Sequence, residues 1–63
     1  MSPQQHANLA LETFQATRHL PDALRQRAID EAFLLAANSN DDPAVALWRA
    51  QLDAVRLVMG APQ

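Results

Sequence analysis

Cysteine is absent from this 63-residue chain, so no disulfide bond holds the fold together. Domains of this size usually need a disulfide, a metal ion, very regular helix packing or a second chain for stability. A structural zinc site is not expected, because His6 and His19 are the only strong nitrogen ligands and have no thiolate partners. We therefore expect no metal and no cofactor, and stability must come from packing or from association.

Lysine and long apolar runs are absent as well. Five arginines against seven acidic residues give a net charge of −2, which attracts neither nucleic acid nor an anionic membrane surface. No apolar run approaches the ~20 residues that cross a bilayer, and the N-terminal residues lack the basic start and apolar stretch of a signal peptide. These absences predict a cytoplasmic protein without membrane contact. The alanine-rich composition, with arginine in place of lysine, is typical of a GC-rich bacterial or phage gene.

Three of the four prolines stand where a helix can begin. Pro3, Pro21 and Pro43 each suit the first helical position, where the missing N–H is not needed. Ser2 and Asp42 precede two of them as good N-cap residues. The pattern therefore predicts three helix starts.

The helix stops agree with these starts. His19 ends the first segment, the polar run "ANSND" interrupts the second, and Gly60, followed by Pro62, closes the third. No alternating pattern predicts a strand. The expected fold class is all-α, with one domain over residues 1–63. It is a small three-helix bundle with helices at about 3–19, 22–38 and 43–59.

The third helix is apolar around most of its circumference when residues are placed at about 100° intervals. One side holds Trp48, Leu52, Val55 and Met59, another holds Leu47, Ala54 and Val58, and Ala46, Ala50 and Leu57 continue behind. Only Arg49, Asp53 and Arg56 form a narrow polar strip. The other two helices cover about half of such a helix, and monomers seldom leave the remainder bare. We expect a homodimer built on this helix to complete the bundle.

The first two helices each have apolar faces of their own. On helix 1 the main stripe is Ala7, Ala10, Leu11 and Phe14, and a second stripe is Leu9, Ala16 and Leu20. On helix 2 the apolar arc comprises Leu24, Ala28, Ile29, Ala32, Phe33, Leu35 and Ala36, with Leu34 isolated on the polar side. Phe14, Phe33 and Trp48 lie on or beside these arcs. Each is expected to stabilise the core by ~3–5 kcal/mol relative to alanine.

A candidate protein interface follows from the residues outside the main core stripes. Trp48 is favoured as a core residue, although tryptophan and arginine are enriched at binding hot spots. Leu34, Leu47 and Leu57 are the better interface candidates. The full candidate set is Leu34, Leu47, Leu57, Arg49, Arg56 and Trp48. The predicted function is a small regulator, inhibitor or adaptor that binds another protein.

Two other functions fit less well. An enzyme is not expected, because three short helices leave no room for a cleft of ~300 Å³ or more, and the acidic residues suit solvated faces and helix caps. The alternative is a dimeric helix-turn-helix DNA-binding regulator that uses Arg25 and Arg27. That interpretation requires a basic recognition helix, and the nearby acidic residues weaken it.

Overall fold

Three packed helices form the protein. The computed structural model describes residues 2–60, within which the helices are α1 (Pro3–Ala16), α2 (Asp22–Ala37) and α3 (Pro43–Val58), and no strand is present. All three pairs of helices are in contact, and α2 packs most extensively against α3. The predicted all-α three-helix bundle is confirmed.

Local capping interactions set the helix starts. The Ser2 hydroxyl accepts a hydrogen bond from the Gln5 N–H at 3.2 Å, and Gln5 Oε1 accepts one from the Ser2 N–H at 3.0 Å. This reciprocal pair is a capping box. At α3, an oxygen of the Asp42 carboxylate accepts from the Ala44 N–H at 3.2 Å. Pro21 differs from the prediction, because it occupies the N-cap position of α2, one residue before the helix, without a side-chain cap.

The first helix ends three residues earlier than predicted. Thr17 is its C-cap, and the Thr17 hydroxyl donates to the Thr13 carbonyl at 2.7 Å. The Thr17 N–H also donates to the Thr13 carbonyl at 3.1 Å, so that this carbonyl accepts two hydrogen bonds at the helix end. Leu20 precedes Pro21, which disfavours helical backbone at that residue. His19 consequently lies beyond α1 and not at its last turn.

The end of α3 agrees with the prediction. Gly60 follows the helix with φ of +69°, in the left-handed region that glycine adopts without a steric penalty. Pro62, which the sequence placed after this stop, lies outside the described residues.

Alanine dominates the core. Leu9, Ala32 and Ala54, one residue from each helix, form the central buried cluster. The other buried apolar residues are Ala28, Ala46, Ala50 and Val58. Alanine side chains let helices approach closely, but each buries little apolar area. The large apolar side chains are therefore mostly at the edge of the core or outside it.

The buried face of α1 is the second stripe and not the main one. Leu9 is only 2% exposed, whereas Leu11 and Phe14 are 55% and 46% exposed. Thr13 and Thr17 follow Leu9 at helical spacing and are fully buried with it. The prediction chose the wrong stripe because neither apolar stripe included these two threonines. Leu9, Thr13 and Thr17 together form the buried face of the first helix and its C-cap.

The apolar arc of α2 was predicted more accurately. Ala28 and Ala32 are buried, and most of the remaining arc is half-buried, while Leu35 is exposed at its edge. Leu34 is exposed, as its position among polar residues indicated. Within residues 2–60, no helix combines the length and apolar character required to cross a membrane.

Candidate protein-binding site

Five apolar residues of α3 and its C-cap lie on the side of the helix away from the buried alanines and stay at least partly exposed. We call this surface the outer stripe; it consists of Val45, Trp48, Leu52, Val55 and Met59. Trp48 is 61% exposed, Val45 and Met59 are also exposed, and Leu52 and Val55 are half-buried. Most of the large apolar surface of α3 therefore faces away from the core.

The outer stripe lies nearly opposite the buried line of α3. Ala46, Ala50, Ala54 and Val58 recur every fourth residue and are the buried positions of the helix. At about 100° per residue, the middle of the stripe is about 160° around the helix from the middle of this line. A partner can therefore contact the stripe without displacing α1 or α2.

Spacing within the outer stripe matches a coiled-coil seam. Its members are separated by three, four, three and four residues along the sequence, which is the a/d pattern of the heptad repeat. Such a narrow seam is suited to one facing helix, in which apolar side chains insert between those of the stripe.

The two edges of the outer stripe differ in charge. Arg49 and Arg56 lie along one side, which we call the arginine edge, and Ala44 and Gln51 lie along the other, the neutral edge. Arg49 donates to the Asp41 carboxylate at 3.3 Å, and both side chains are largely exposed. An exposed pair of this kind contributes about 0–1 kcal/mol. Arg49 is therefore free to exchange Asp41 for a partner's group at little cost.

The core position predicted for Trp48 is wrong. Alanine residues occupy the side of α3 that faces the other helices, and Trp48 lies on a different side with 61% of its surface exposed. Trp48 is instead part of the outer stripe, between Val45 and Leu52. The exposed side chain belongs to the interface candidates, together with its neighbours Arg49 and Arg56.

The three leucines preferred as interface residues do not form one surface with Trp48. Leu47 is half-buried and packs against the core cluster beside Phe33. Leu57 is exposed, but it lies about 180° around α3 from Trp48. Leu34 is exposed on α2, on nearly the opposite side of that helix from the buried Ala32. The predicted site therefore divides into separate parts.

The interface predicted from the sequence did not include Val45. It precedes Trp48 by three residues and Leu52 by seven. Those intervals continue the heptad pattern to the first turn of the helix. The signal was present, but the valine near a helix start was not counted with the apolar side that follows it.

Arg25 is engaged within the protein. Its side chain is only 18% exposed and pairs with Asp22. The guanidinium donates to the Leu20 carbonyl at 2.9 Å and to the Arg18 carbonyl at 3.4 Å, both beyond the end of α1. This arginine holds the α1–α2 connection and does not project toward a DNA groove. Arg27 is exposed.

One open cavity lies at the end of the bundle, and its volume of about 580 Å³ contradicts the expectation that no cleft fits. The cavity is lined from all three helices, and the His6 ring stacks on Phe33 there, with ring centroids 4.2 Å apart. Among the residues 2–60 that line it, Asp41 is the only one with a carboxylate. No group of three histidine or acidic side chains in residues 2–60 is arranged to hold a metal ion.

No protein-family model matches this chain, and neither a curated protein nor a solved structure is significantly similar to it. A functional assignment therefore depends on the residues and their geometry.

Proposed function

We propose that this protein is a small regulator or adaptor that acts by binding a helix through the outer stripe of α3. The observation that carries this proposal is the position of Trp48, which is 61% exposed within a continuous apolar seam. Burial of the stripe stabilises a complex, because each fully covered Val, Leu or Met side chain contributes ~1.5–3 kcal/mol. The interface candidates that support this role are Trp48, Arg49 and Arg56.

The surroundings of the stripe have the composition of a binding site. Protein interfaces combine a dry apolar centre with a polar rim. Here Trp48 and Leu52 are central, while Arg49, Arg56 and Gln51 form the rim. Tryptophan and arginine are also the residues most enriched at energetic hot spots.

The DNA-binding alternative has weaker support. It assigned base or phosphate contacts to Arg25 and Arg27, but the Arg25 guanidinium already binds main-chain carbonyls. A recognition helix needs several basic side chains that are free to enter the major groove. On α2 that leaves Arg27, with Asp30 and Glu31 close by in sequence.

Site-specific photo-crosslinking in cells tests the proposal. A benzophenone amino acid replaces Trp48 in one variant and Leu34 in the matched control, which is 57% exposed on α2. We expect discrete protein adducts from position 48 and few from position 34. An unlabelled wild-type copy should compete for the partner and suppress those adducts. An unlabelled copy that carries Trp48→Glu should not suppress them. Equal crosslinking at both positions would contradict the proposal, and adducts at position 34 alone would move the site to α2.

A further inference from the structure

We infer that the helix covering the outer stripe is α3 of a second copy, which lies parallel to the first across a two-fold axis. This inference rests on the proposed function and identifies one occupant of that same surface. It specifies both the partner and its direction. Each stripe residue then lies near its own counterpart in the partner subunit.

Access to the stripe permits this arrangement along the whole helix. Because the buried alanine line lies about 160° away, α1 and α2 are behind α3 when it is viewed from the partner. The stripe extends from Val45 in the first turn to Met59, the C-cap residue. Two copies can therefore meet along this side, chiefly through the exposed Val45, Trp48 and Met59.

The seam is complementary to itself. In a parallel coiled coil, a positions meet a positions and d positions meet d positions. Val45, Leu52 and Met59 occupy the a positions, and Trp48 and Val55 occupy the d positions. Every layer of the pair is consequently apolar, with no charged residue placed in the seam.

The edges of the stripe determine the direction. In a parallel pair, each g position faces the e position five residues later in the partner. Gln51 then faces Arg56 of the partner subunit, and Ala44 faces Arg49 of the partner subunit. Each arginine meets an uncharged residue, and Gln51 offers its amide oxygen as an acceptor.

An antiparallel pair brings the arginine edges together. In that arrangement e positions face e positions, so that Arg49 and Arg56 of both copies share one side of the seam. Like charges in such proximity are unfavourable. The parallel direction avoids this repulsion.

The exposed area indicates a weak pair. A tryptophan buries about 150–250 Å² in full, and Trp48, at 61% exposed, retains much of that area for a partner. Interfaces below about 1,200 Å² in total belong to weak or transient pairs, and a stripe of five residues, two of them half-buried, suits that class. We expect a dimer that dissociates in roughly the micromolar range. Such a dimer leaves monomers available to another helix of the same pattern.

The absence of cysteine makes the direction directly testable, since any introduced thiol is unique. Val45→Cys and Met59→Cys place a thiol at either end of the stripe, and Gln26→Cys on the exposed side of α2 is the control. A disulfide requires Cα atoms within about 7 Å. In a parallel pair, residue 45 lies beside residue 45 of the partner subunit, and likewise for residue 59. We expect both stripe variants to form disulfide dimers in a redox buffer and the control to form none.

Mixing the two stripe variants separates the directions. An antiparallel pair in full overlap places residue 45 beside residue 59 of the partner subunit, about 21 Å from its own counterpart. An antiparallel pair would therefore form the mixed disulfide between Val45→Cys and Met59→Cys, and neither variant would form a disulfide with itself. That result would overturn the parallel direction. Sedimentation of the wild type as a monomer at every concentration up to hundreds of micromolar would overturn the second copy as occupant. If the wild type is a monomer but position 48 still crosslinks to another protein, the proposed function is supported and only the second copy is excluded.

Discussion

The guanidinium of Arg25 lies over the ring of Phe14, with its Cζ 4.9 Å from the ring centroid. The same guanidinium binds the Leu20 carbonyl at 2.9 Å. One side chain on α2 thus contacts both the side of α1 and the connection that follows it. This relationship explains how the half-exposed Phe14 contributes to the fold without entering the core.

Replacing Arg25 by alanine should lower the free energy of unfolding by ~1–3 kcal/mol, because a hydrogen bond from a charged group and a cation–π contact are both lost. Lysine at this position should restore only part of the loss, since it lacks the planar fork of donors. Urea denaturation measures the effect. Arg27→Ala, on the exposed side of the same helix, is the control and should change stability by less than ~0.5 kcal/mol. Equal stability of the two alanine variants would show that the Arg25 contacts are not formed.

Leu9→Ala should be the most damaging single truncation. Leu9 is the only leucine among the fully buried side chains, and its removal leaves a cavity that costs ~2–5 kcal/mol. Leu11→Ala is the matched control on the same helix and should have a small effect, because Leu11 is 55% exposed. Thermal unfolding followed by circular dichroism compares them. A larger loss for Leu11→Ala would mean that the main stripe of α1, not the second, faces the core.

Thr13→Val should stabilise the protein by about 1 kcal/mol, because the buried Thr13 hydroxyl has no hydrogen-bond partner within the part of the chain that the structure describes. Valine keeps the shape and removes the unpaired group. Thr17→Val should instead destabilise, since it deletes the 2.7 Å bond to the Thr13 carbonyl. Chemical denaturation of both variants gives the comparison. Stability changes of the same sign would contradict this account.

Trp48→Glu should leave the unfolding free energy of the monomer within about 1 kcal/mol of wild type, as expected of an exposed site. This outcome replaces the loss of ~3–5 kcal/mol expected from the sequence for a core tryptophan. The variant should fail to associate while keeping its helical circular-dichroism spectrum. Leu34→Glu, at a similarly exposed position on α2, should associate like wild type in sedimentation experiments.

Trp48 is the only tryptophan and sits in the stripe, so its fluorescence reports association directly. We expect its emission to shift to shorter wavelength as the protein concentration rises through roughly the micromolar range, because pairing removes the indole from water. Acrylamide quenching should weaken in parallel. An emission spectrum that is independent of concentration would contradict self-association through this face.

Helix positions were predictable because the signals are local. Ser2 with Gln5, and Asp42 with Ala44, act over two or three residues. The excess apolar surface of α3 was also visible, since it depends only on periodicity. The stop of α1 was not, because Thr17, its C-cap, is not one of the usual residues that mark a helix end.

The amino-acid sequence by itself determined three helices and an α3 with more apolar surface than two neighbours can cover. Only the tertiary structure decided which side of each helix is buried. On α3 it selected the line Ala46, Ala50, Ala54 and Val58, and on α1 the face of Leu9 with its two threonines. The physical reason is packing: small side chains let three short helices approach closely, and a close contact excludes an indole ring. Trp48 is therefore left outside, where a second chain can cover it.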